Sequence, residues 1–464
     1  MSALPATVDY SRNINHASKY KMLQVPLSNN ATSNYDPSVG TLKLQWTLPA
    51  GITVNLSRSS VSYTIKVQKP GASRHTYIVD DCFQIAQNLS LTTAKGITIA
   101  DVPYANRYSK IIDKYYTRHS TFMSRSNMDV SYPCRTTAVL NPIHSIVGAT
   151  ITHNTLDLTA NADKNSGFIA YEEPRYFKVG VVDEIVELAK NVKLGDIGHS
   201  TAFELDKDVY IGETIYINLD TAMQDTFVFS ASSDAVIGAS AQALAANSVK
   251  VSNVMLNLAV EDNAVLSNSV RNKYETTGIN LRCDYVHPFK NVFNSPTTNL
   301  TLQIPQMANT KLKRIINCVF NGNETLANAV DHHNLNKEKI EELVTFIDSQ
   351  PLQNNRIVST FSTGDFLGNT DYIENERFLR DSVIQTVPQY AYTWAHIDDF
   401  SGDDSLKHEG EHQKHDYGLD LDVPRNYMMQ MKTPNAAAGS TLAGYSFAIV
   451  SRTLHMGKDG IYWL

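Results

Sequence analysis

Residues 61–68 read VSYTIKVQ, in which Val61, Tyr63, Ile65 and Val67 alternate with Ser62, Thr64, Lys66 and Gln68. Side chains on a strand point to opposite faces in turn, so a period of two describes a strand with one face buried and the other wet. The pattern recurs along the chain. Residues 89–102 (LSLTTAKGITIADV) put Leu89 and Leu91 on one arm of a hairpin and Ile97 and Ile99 on the other, with Lys95-Gly96 at the turn. Alternation returns at Ile215, Ile217 and Leu219, from Met255 to Val260, at Leu300, Leu302 and Ile304, and from Phe447 to Leu454. Stretches rich in Asn, Thr, Ser, Asp and Gly separate these segments, as the loops of antiparallel sheet require.

Helical periodicity is confined to short pieces. In 183–193 (DEIVELAKNVK) Ile185, Leu188 and Ala189 form one stripe, with acids at the start and lysine at the end, and this predicts a helix favoured by its dipole. In 337–348 (KEKIEELVTFID) Ile340, Leu343, Val344 and Ile347 fall at i, i+3, i+4 and i+7, which predicts a second. A third is predicted over 104–116 (YANRYSKIIDKYY). These are too few and too short to supply the crossovers of a parallel α/β sheet.

The 464 residues and 51.6 kDa exceed one ordinary β-sandwich and suit two domains of roughly 200 residues each. Only 19% of residues are charged, below the roughly 25% usual in soluble domains. Asn, Ser, Thr and Gln must then make up much of the surface, which suits surfaces covered by neighbours. There are 23 tyrosines and 3 tryptophans, and tyrosine serves well at wet interfaces because its body is apolar and its tip polar. The net charge is −7 with no long Lys/Arg run, so direct or sequence-specific nucleic-acid binding is not expected. Cys82, Cys134, Cys283 and Cys318 are widely spread and form no C-x-x-C pair, so buried free thiols are expected rather than a zinc knuckle or a disulfide framework. The first residues, MSALPATVDYSRNINHASKY, lack a signal pattern, and no apolar run approaches the roughly 18 residues of a membrane span. A soluble protein made in a reducing compartment, cytosol or nucleus, is expected.

The two halves share an order of elements without a residue-level repeat. Each opens with strands, runs through a long strand pair, inserts a helix and long loops, and returns to strands. The polar stretch 261–278 (EDNAVLSNSVRNKYETTG) reads as the connector. The expected division is a flexible arm over 1–18, a first unit over 19–262 and a second over 263–464. The fold class is all-β: two tandem eight-stranded antiparallel sandwiches of jelly-roll type, with short helices and long loops.

Five stretches carry a family likeness. Residues 83–118 (FQIAQNLSLTTAKGITIADVPYANRYSKIIDKYYTR), 199–219 (HSTAFELDKDVYIGETIYINL) and 249–262 (VKVSNVMLNLAVED) lie in the first half. In the second lie 299–323 (NLTLQIPQMANTKLKRIINCVFNGN) and 351–379 (PLQNNRIVSTFSTGDFLGNTDYIENERFL). Together they resemble the double jelly-roll major capsid proteins of the lineage that includes tailless membrane-containing phages, adenovirus hexons, large DNA viruses and polinton-like elements. The stretch 351–379 would then be a crown loop and helix. The resemblance implies a homotrimer whose six upright jelly rolls form a pseudo-hexagonal capsomer of an icosahedral virion shell. It also implies partners: neighbouring capsomers, minor capsid or penton proteins, and an internal membrane in those relatives that have one. Other readings of a β-sandwich are a carbohydrate-binding protein of lectin or adhesin type and a glycan-acting enzyme.

Motifs that carry chemistry are scarce. Residues 408–412 read His-Glu-Gly-Glu-His and match H-E-x-x-H, which on a helix places His408 and His412 on one face for zinc, with Glu409 as base. Their setting, SGDDSLKHEGEHQKHDYGLDLD over 401–422, is charged, nearly free of apolar residues and broken by Gly402, Gly410 and Gly418. A catalytic helix needs a buried side, so an exposed polar loop is expected here, with His415 nearby. His332 and His333 read as surface residues. Asp80-Asp81 and Asp398-Asp399 are adjacent in sequence and so point to opposite faces of a strand. No catalytic, metal or cofactor residue is assigned, and no enzyme activity is expected. The large apolar side chains of Ile461-Tyr462-Trp463-Leu464 are expected to dock on their own domain or on a neighbouring subunit, and their deletion to weaken trimer contacts.

Overall fold

The computed structural model describes residues 19–28, 34–37, 39–68, 75–80, 85–116, 144–147, 150–153, 175–179, 185–222, 228–231, 249–293, 299–307, 310–321, 342–352, 357–358, 395–400, 418–421, 425–432 and 442–464. Four large sheets hold two sets of strands. The first set is β1 (Tyr20–Val25), β2 (Lys43–Thr47), β3 (Thr53–Gln68), β4 (Ala86–Thr93), β5 (Thr98–Pro103), β6 (Ile185–Lys193), β7 (Ile215–Thr221) and β8 (Val249–Glu261). The second is β9 (Ile279–Phe293), β10 (Asn299–Met307), β11 (Lys311–Asn321), β12 (Glu342–Ile347), β13 (Gln350–Pro351), β14 (His396–Asp399), β15 (Arg425–Lys432) and β16 (Leu442–Gly457).

The first set forms sheets of order β1-β8-β3-β6 and β2-β7-β4-β5, and the second forms β9-β16-β11-β14 and β10-β15-β12-β13. Adding eight to each strand of the first pair gives the second. Every neighbouring pair in these orders is antiparallel. Shorter strands extend them: Asp208–Tyr210 on β3, Ile357–Val358 on β12, Leu419–Asp420 on β11 and Gly460–Trp463 on β16.

Alternation sets which face of each strand is buried. Val61, Tyr63, Ile65 and Val67 of β3 are buried together with Leu44 and Trp46 of β2, Leu89 of β4 and Ile217 of β7. Ile315 and Val450 meet Leu302, Leu343 and Met429 likewise in the second sandwich. Each such side chain contributes roughly 1.5–3 kcal/mol on burial. The hairpin β4–β5 turns at Lys95-Gly96 as its sequence requires, with Gly96 at φ +84°, where a side chain would be strained.

Two helix expectations fail. Residues 185–193 form strand β6, which pairs with β3 from Ile185↔Gln68 to Lys193↔Ser60. Residues 342–347 form strand β12, which pairs with β15 from Glu342↔Lys432 to Ile347↔Tyr427. Both carry a helical stripe, but a full ladder against a long neighbour supplies more than local propensity, which is worth less than about 1 kcal/mol per residue. The helix over 104–116 is present as α1 (Ala105–Tyr116). A four-residue α2 (Leu194–Ile197) follows β6.

Between β8 and β9 the polar connector is itself a helix, α3 (Ala264–Thr276). Asn263 caps it, its side-chain oxygen accepting from the amides of Val265 and Leu266. α3 is pinned to the first sandwich where Thr53 Oγ1 meets Ser267 Oγ at 2.9 Å and Tyr274 packs edge-on against Tyr210. It ends at Gly278, φ +72°, where any Cβ would lie 2.3 Å from the His455 imidazole.

Candidate assembly interface

Among the described residues the two sandwiches meet along a seam. From the first comes α1, whose Ala105, Tyr108, Ile111 and Ile112 are buried at helical spacing. Asn88 Oδ1 accepts from the Tyr104 amide, and Ser109 Oγ donates to the Ile197 carbonyl, so β4 and α2 hold both sides of the first turns. From the second sandwich comes β16. Ser446 Oγ donates to Asn317 of β11, and Asn317 reaches across to Tyr427 of β15, so these point into the sandwich. Tyr445 and Phe447 flank Ser446 in sequence and therefore point outward.

On that outer face the Arg107 guanidinium donates to the Tyr445 hydroxyl and lies over its ring at 5.0 Å. Tyr104 meets Tyr445 edge-on at 4.9 Å, and Tyr108 packs on Phe447 at 5.0 Å. Lys290 of β9 sits 5.6 Å from both the Tyr104 and Tyr445 rings. Aromatic pairs and ring-bound cations each add about 0.5–1.5 kcal/mol beyond area burial. Ala443 to Val450 are consequently buried on both faces of β16.

A second contact lies at the other end of the seam. Gly460–Trp463 pairs with β16, Ile461 is buried, and Trp463 Nε1 donates to the Thr98 carbonyl of β5 at 3.0 Å. Arg452 covers the Trp463 ring at 4.7 Å. The expected docking of residues 461–464 is thus made within the chain and joins both sandwiches. Leu464 and Tyr462 stay exposed. Burial, with Arg452 nearby, holds the His287 imidazole down at about 4.

The interior of the second sandwich carries a polar bridge. Asn317 Nδ2 donates to Tyr427 Oη at 2.8 Å, and Tyr427 Oη donates to Asp398 Oδ2 at 2.5 Å. Thr345 Oγ1 and His396 Nε2 face Asp398 Oδ1 at 3.4 and 3.3 Å. All are buried, and burial next to Asp398 pushes the Tyr427 hydroxyl well up, so that it remains a donor. Asp399 turns the other way, towards Arg314 at 3.4 Å, so the adjacent carboxylates do face apart. Lys313 and Asp284 form a further buried pair at 2.8 Å.

Cys283 and Cys318 are free and buried; burial pushes the Cys283 thiol up to about 12 and the Cys318 thiol up as well. Cys82, Cys134, Asp81, His332, His333 and the whole 408–415 histidine stretch lie outside the described residues, as do the arm 1–18 and nearly all of the expected crown loop. Among the described residues no cluster of three or more His, Cys, Asp or Glu could hold a metal ion, and no helix is long and apolar enough to cross a membrane. The seam residues Tyr104, Arg107 and Tyr108 fall inside the helix read from sequence, but their partners Tyr445 and Phe447 lie over 330 residues away, beyond any local signal.

No family model and no curated relative matches the sequence. Solved structures do match over nearly the full chain. One is the Sputnik virophage at 12% identity and a TM-score of 0.56, covering 97% of this chain and 88% of that one. The Faustovirus major capsid protein matches at 8% identity and 0.53, covering 95% and 91%. The PBCV-1 virus capsid matches at 9% identity and 0.50, covering 96% of both chains.

The fold is a double jelly roll of the kind found in viral major capsid proteins.

In double jelly-roll terms, the sheets β1-β8-β3-β6 and β2-β7-β4-β5 make the first roll, and the other two make the second. The helix α1, between β5 and β6, is what the first roll lays on the second. The hairpin β4–β5 and α1 occupy the stretch whose likeness to these proteins was legible in sequence. The strand pair β10–β11 does the same in the second roll.

Proposed function

We propose that this chain is a major capsid protein, three copies of which close into a pseudo-hexagonal capsomer of an icosahedral virion shell. The observation that carries this reading is the seam. One roll lays its edge helix on the outer sheet face of another roll with the same strand order. Such a contact is heterologous: unlike surfaces meet, so repeating it closes a ring or runs on as a filament. Two rolls per chain make six lobes from three chains. The fold shared with solved capsid proteins supports the ring.

In this reading the chain divides into an arm over 1–18, a first roll over 19–262 and a second over 263–464. Trimers meet one another, and minor capsid or penton proteins, through polar and individually weak contacts, which lets a shell anneal as it grows. The test is the mass of the purified chain in solution, with negative-stain images of the same sample. Three chain masses and six-lobed particles with threefold symmetry are expected. A monomer at every concentration would overturn the proposal.

A further inference from the structure

Two contacts between the rolls, the α1 seam and the terminal joint, are built from different chemistry. At α1 the described contacts are made by Tyr104, Arg107, Tyr108, Lys290, Tyr445 and Phe447, with no carboxylate or imidazole among them. At the terminal joint Trp463 Nε1 donates to the Thr98 carbonyl, Tyr285 meets the Trp463 ring edge-on at 6.0 Å, and His287 lies against Tyr285 at 4.7 Å. A chain of rings therefore runs from His287 in β9 to the backbone of β5. Arg452 lies over the Trp463 and Tyr285 rings at 4.7 and 5.9 Å.

The strand that carries Trp463 is short, Gly460–Trp463, and a short terminal strand is where a fold opens locally at least cost. A clasp holds it. His455 faces Asn280 Oδ1 at 2.7 Å and Asp459 Oδ1 at 3.1 Å. Tyr462 stacks on the His455 ring at 4.7 Å and donates to Asp459 Oδ2 at 3.1 Å. Gly278 and Gly457 leave the ring its room, since a Cβ on either would lie 2.9 Å or less from it.

We propose that the terminal joint is an acid-opened latch: protonation of His287 releases Trp463 and its strand from the first roll, while the α1 seam stays closed and serves as the hinge. This device works within one chain and is independent of the capsid reading. Its basis is linkage between opening and proton uptake. Burial, and then Arg452, holds the closed His287 at about 4, whereas an imidazole in water takes its proton near 6.5. The open joint binds more protons than the closed one across that interval, so falling pH draws it open.

The described charged and titratable groups around the joint come from several elements. Asp459 of the terminal turn is kept below the usual carboxylate range chiefly by the His455 hydrogen bond, so its protonation loosens the same strand. Asp101 of β5 acts in the opposite sense: burial, and then Asp220, hold its carboxyl above the usual range, and its protonation favours the closed joint. Burial, and then Asp101, push the Tyr285 hydroxyl up, which keeps it neutral, and Tyr274 of α3 is pushed up by burial first. Lys95 of the β4–β5 turn faces Gly460 and is paired with Glu213 at 2.9 Å. His287 has the shift that spans the interval from neutral to acid and sets the response.

The experiment follows hydrogen exchange of the full chain by mass spectrometry at pH 7 and pH 4, corrected for intrinsic rates, in segments covering 460–464 and α1. The parent is compared with His287→Phe, which keeps a ring beside Tyr285, and His287→Gln, which takes up no proton; thermal unfolding establishes which variants are folded. Protection of 460–464 is expected to fall roughly a hundredfold from pH 7 to pH 4 in the parent, and less than about tenfold in each folded variant. Protection of α1 is expected to persist in all of them. An unchanged parent, or a folded variant with the parent's full response, would overturn the latch. Loss of protection in α1 together with 460–464 would overturn it as well, because the whole chain would then be unfolding.

Discussion

The sheets β1-β8-β3-β6 and β9-β16-β11-β14 have one strand order and opposite surroundings. In the second, β16 is buried on both faces from Ala443 to Val450, while in the first, β8 carries exposed Lys250, Asn253 and Met255 among buried residues from Val249 to Leu256. The same topology therefore tolerates two kinds of sequence. Where both faces are covered, the strand reads as a nearly continuous apolar run. Where exposed positions remain, they interrupt that run. What a jelly-roll strand looks like in sequence reports its neighbours as much as its fold.

That contrast can be broken most sharply at the seam. Tyr445→Ala removes a fully buried ring together with its contacts to Tyr104 and Arg107. A loss of about 3–5 kcal/mol is expected in denaturant unfolding of the full chain. A loss below about 1 kcal/mol would mean that the covered face is not a core. The interior bridge of the second roll is next. Tyr427→Phe keeps the ring but removes the donor to Asp398 and the acceptor for Asn317. A cost of about 1–3 kcal/mol is expected, because buried polar groups lose their partner.

The third effect depends on pH. Burial holds His287 at about 4 in the folded chain, and an unfolded histidine takes its proton near 6.5. Between those values the unfolded state binds more protons, so stability falls as pH drops from about 6.5 towards 4. His287→Phe keeps a ring beside Tyr285 and is expected to flatten this acid limb, on the order of 1–3 kcal/mol, in melting temperatures recorded against pH. An unaltered limb would place the acid sensitivity elsewhere. The smallest effect belongs to an exposed pair on the first of these sheets. Lys66→Ala breaks the exposed pair with Glu187 and is expected to change monomer stability by less than about 1 kcal/mol. A larger loss would show that the pair is not at the surface.

Strand alternation was legible because it follows from burial on one side: β3, β4, β5, β7 and β10 were all readable in the sequence. The errors have a common cause. Leu188 and Ala189, or Leu343 and Val344, form a helical stripe when read locally, yet each segment is fixed by a partner strand far away in sequence. The acids Asp183 and Glu184 that mimic a helix start precede β6 in sequence, and within β6 Glu187 pairs across to Lys66 while Lys190 is buried. The helix α3 has a signal, Asn263 ahead of Ala-Val-Leu-Ser, but it sits inside a stretch whose polarity marks it as a connector. The run from Ala443 to Val450 carries a signal of two-sided burial, partly hidden by the alternation from Phe447 onward. The seam could not be read, because nothing in Tyr104 or Arg107 names Tyr445.

The helix α3 has a consequence for how material is gathered into larger objects. By tethering the two rolls over 13 helical residues it turns the aromatic seam into a unimolecular event, with an effective concentration on the millimolar scale. The strong contact is then made at any dilution, before a second chain is met. In the proposed capsid reading, only the weaker, reversible contacts between chains respond to how much protein has accumulated, so the onset of assembly is set by supply rather than by folding.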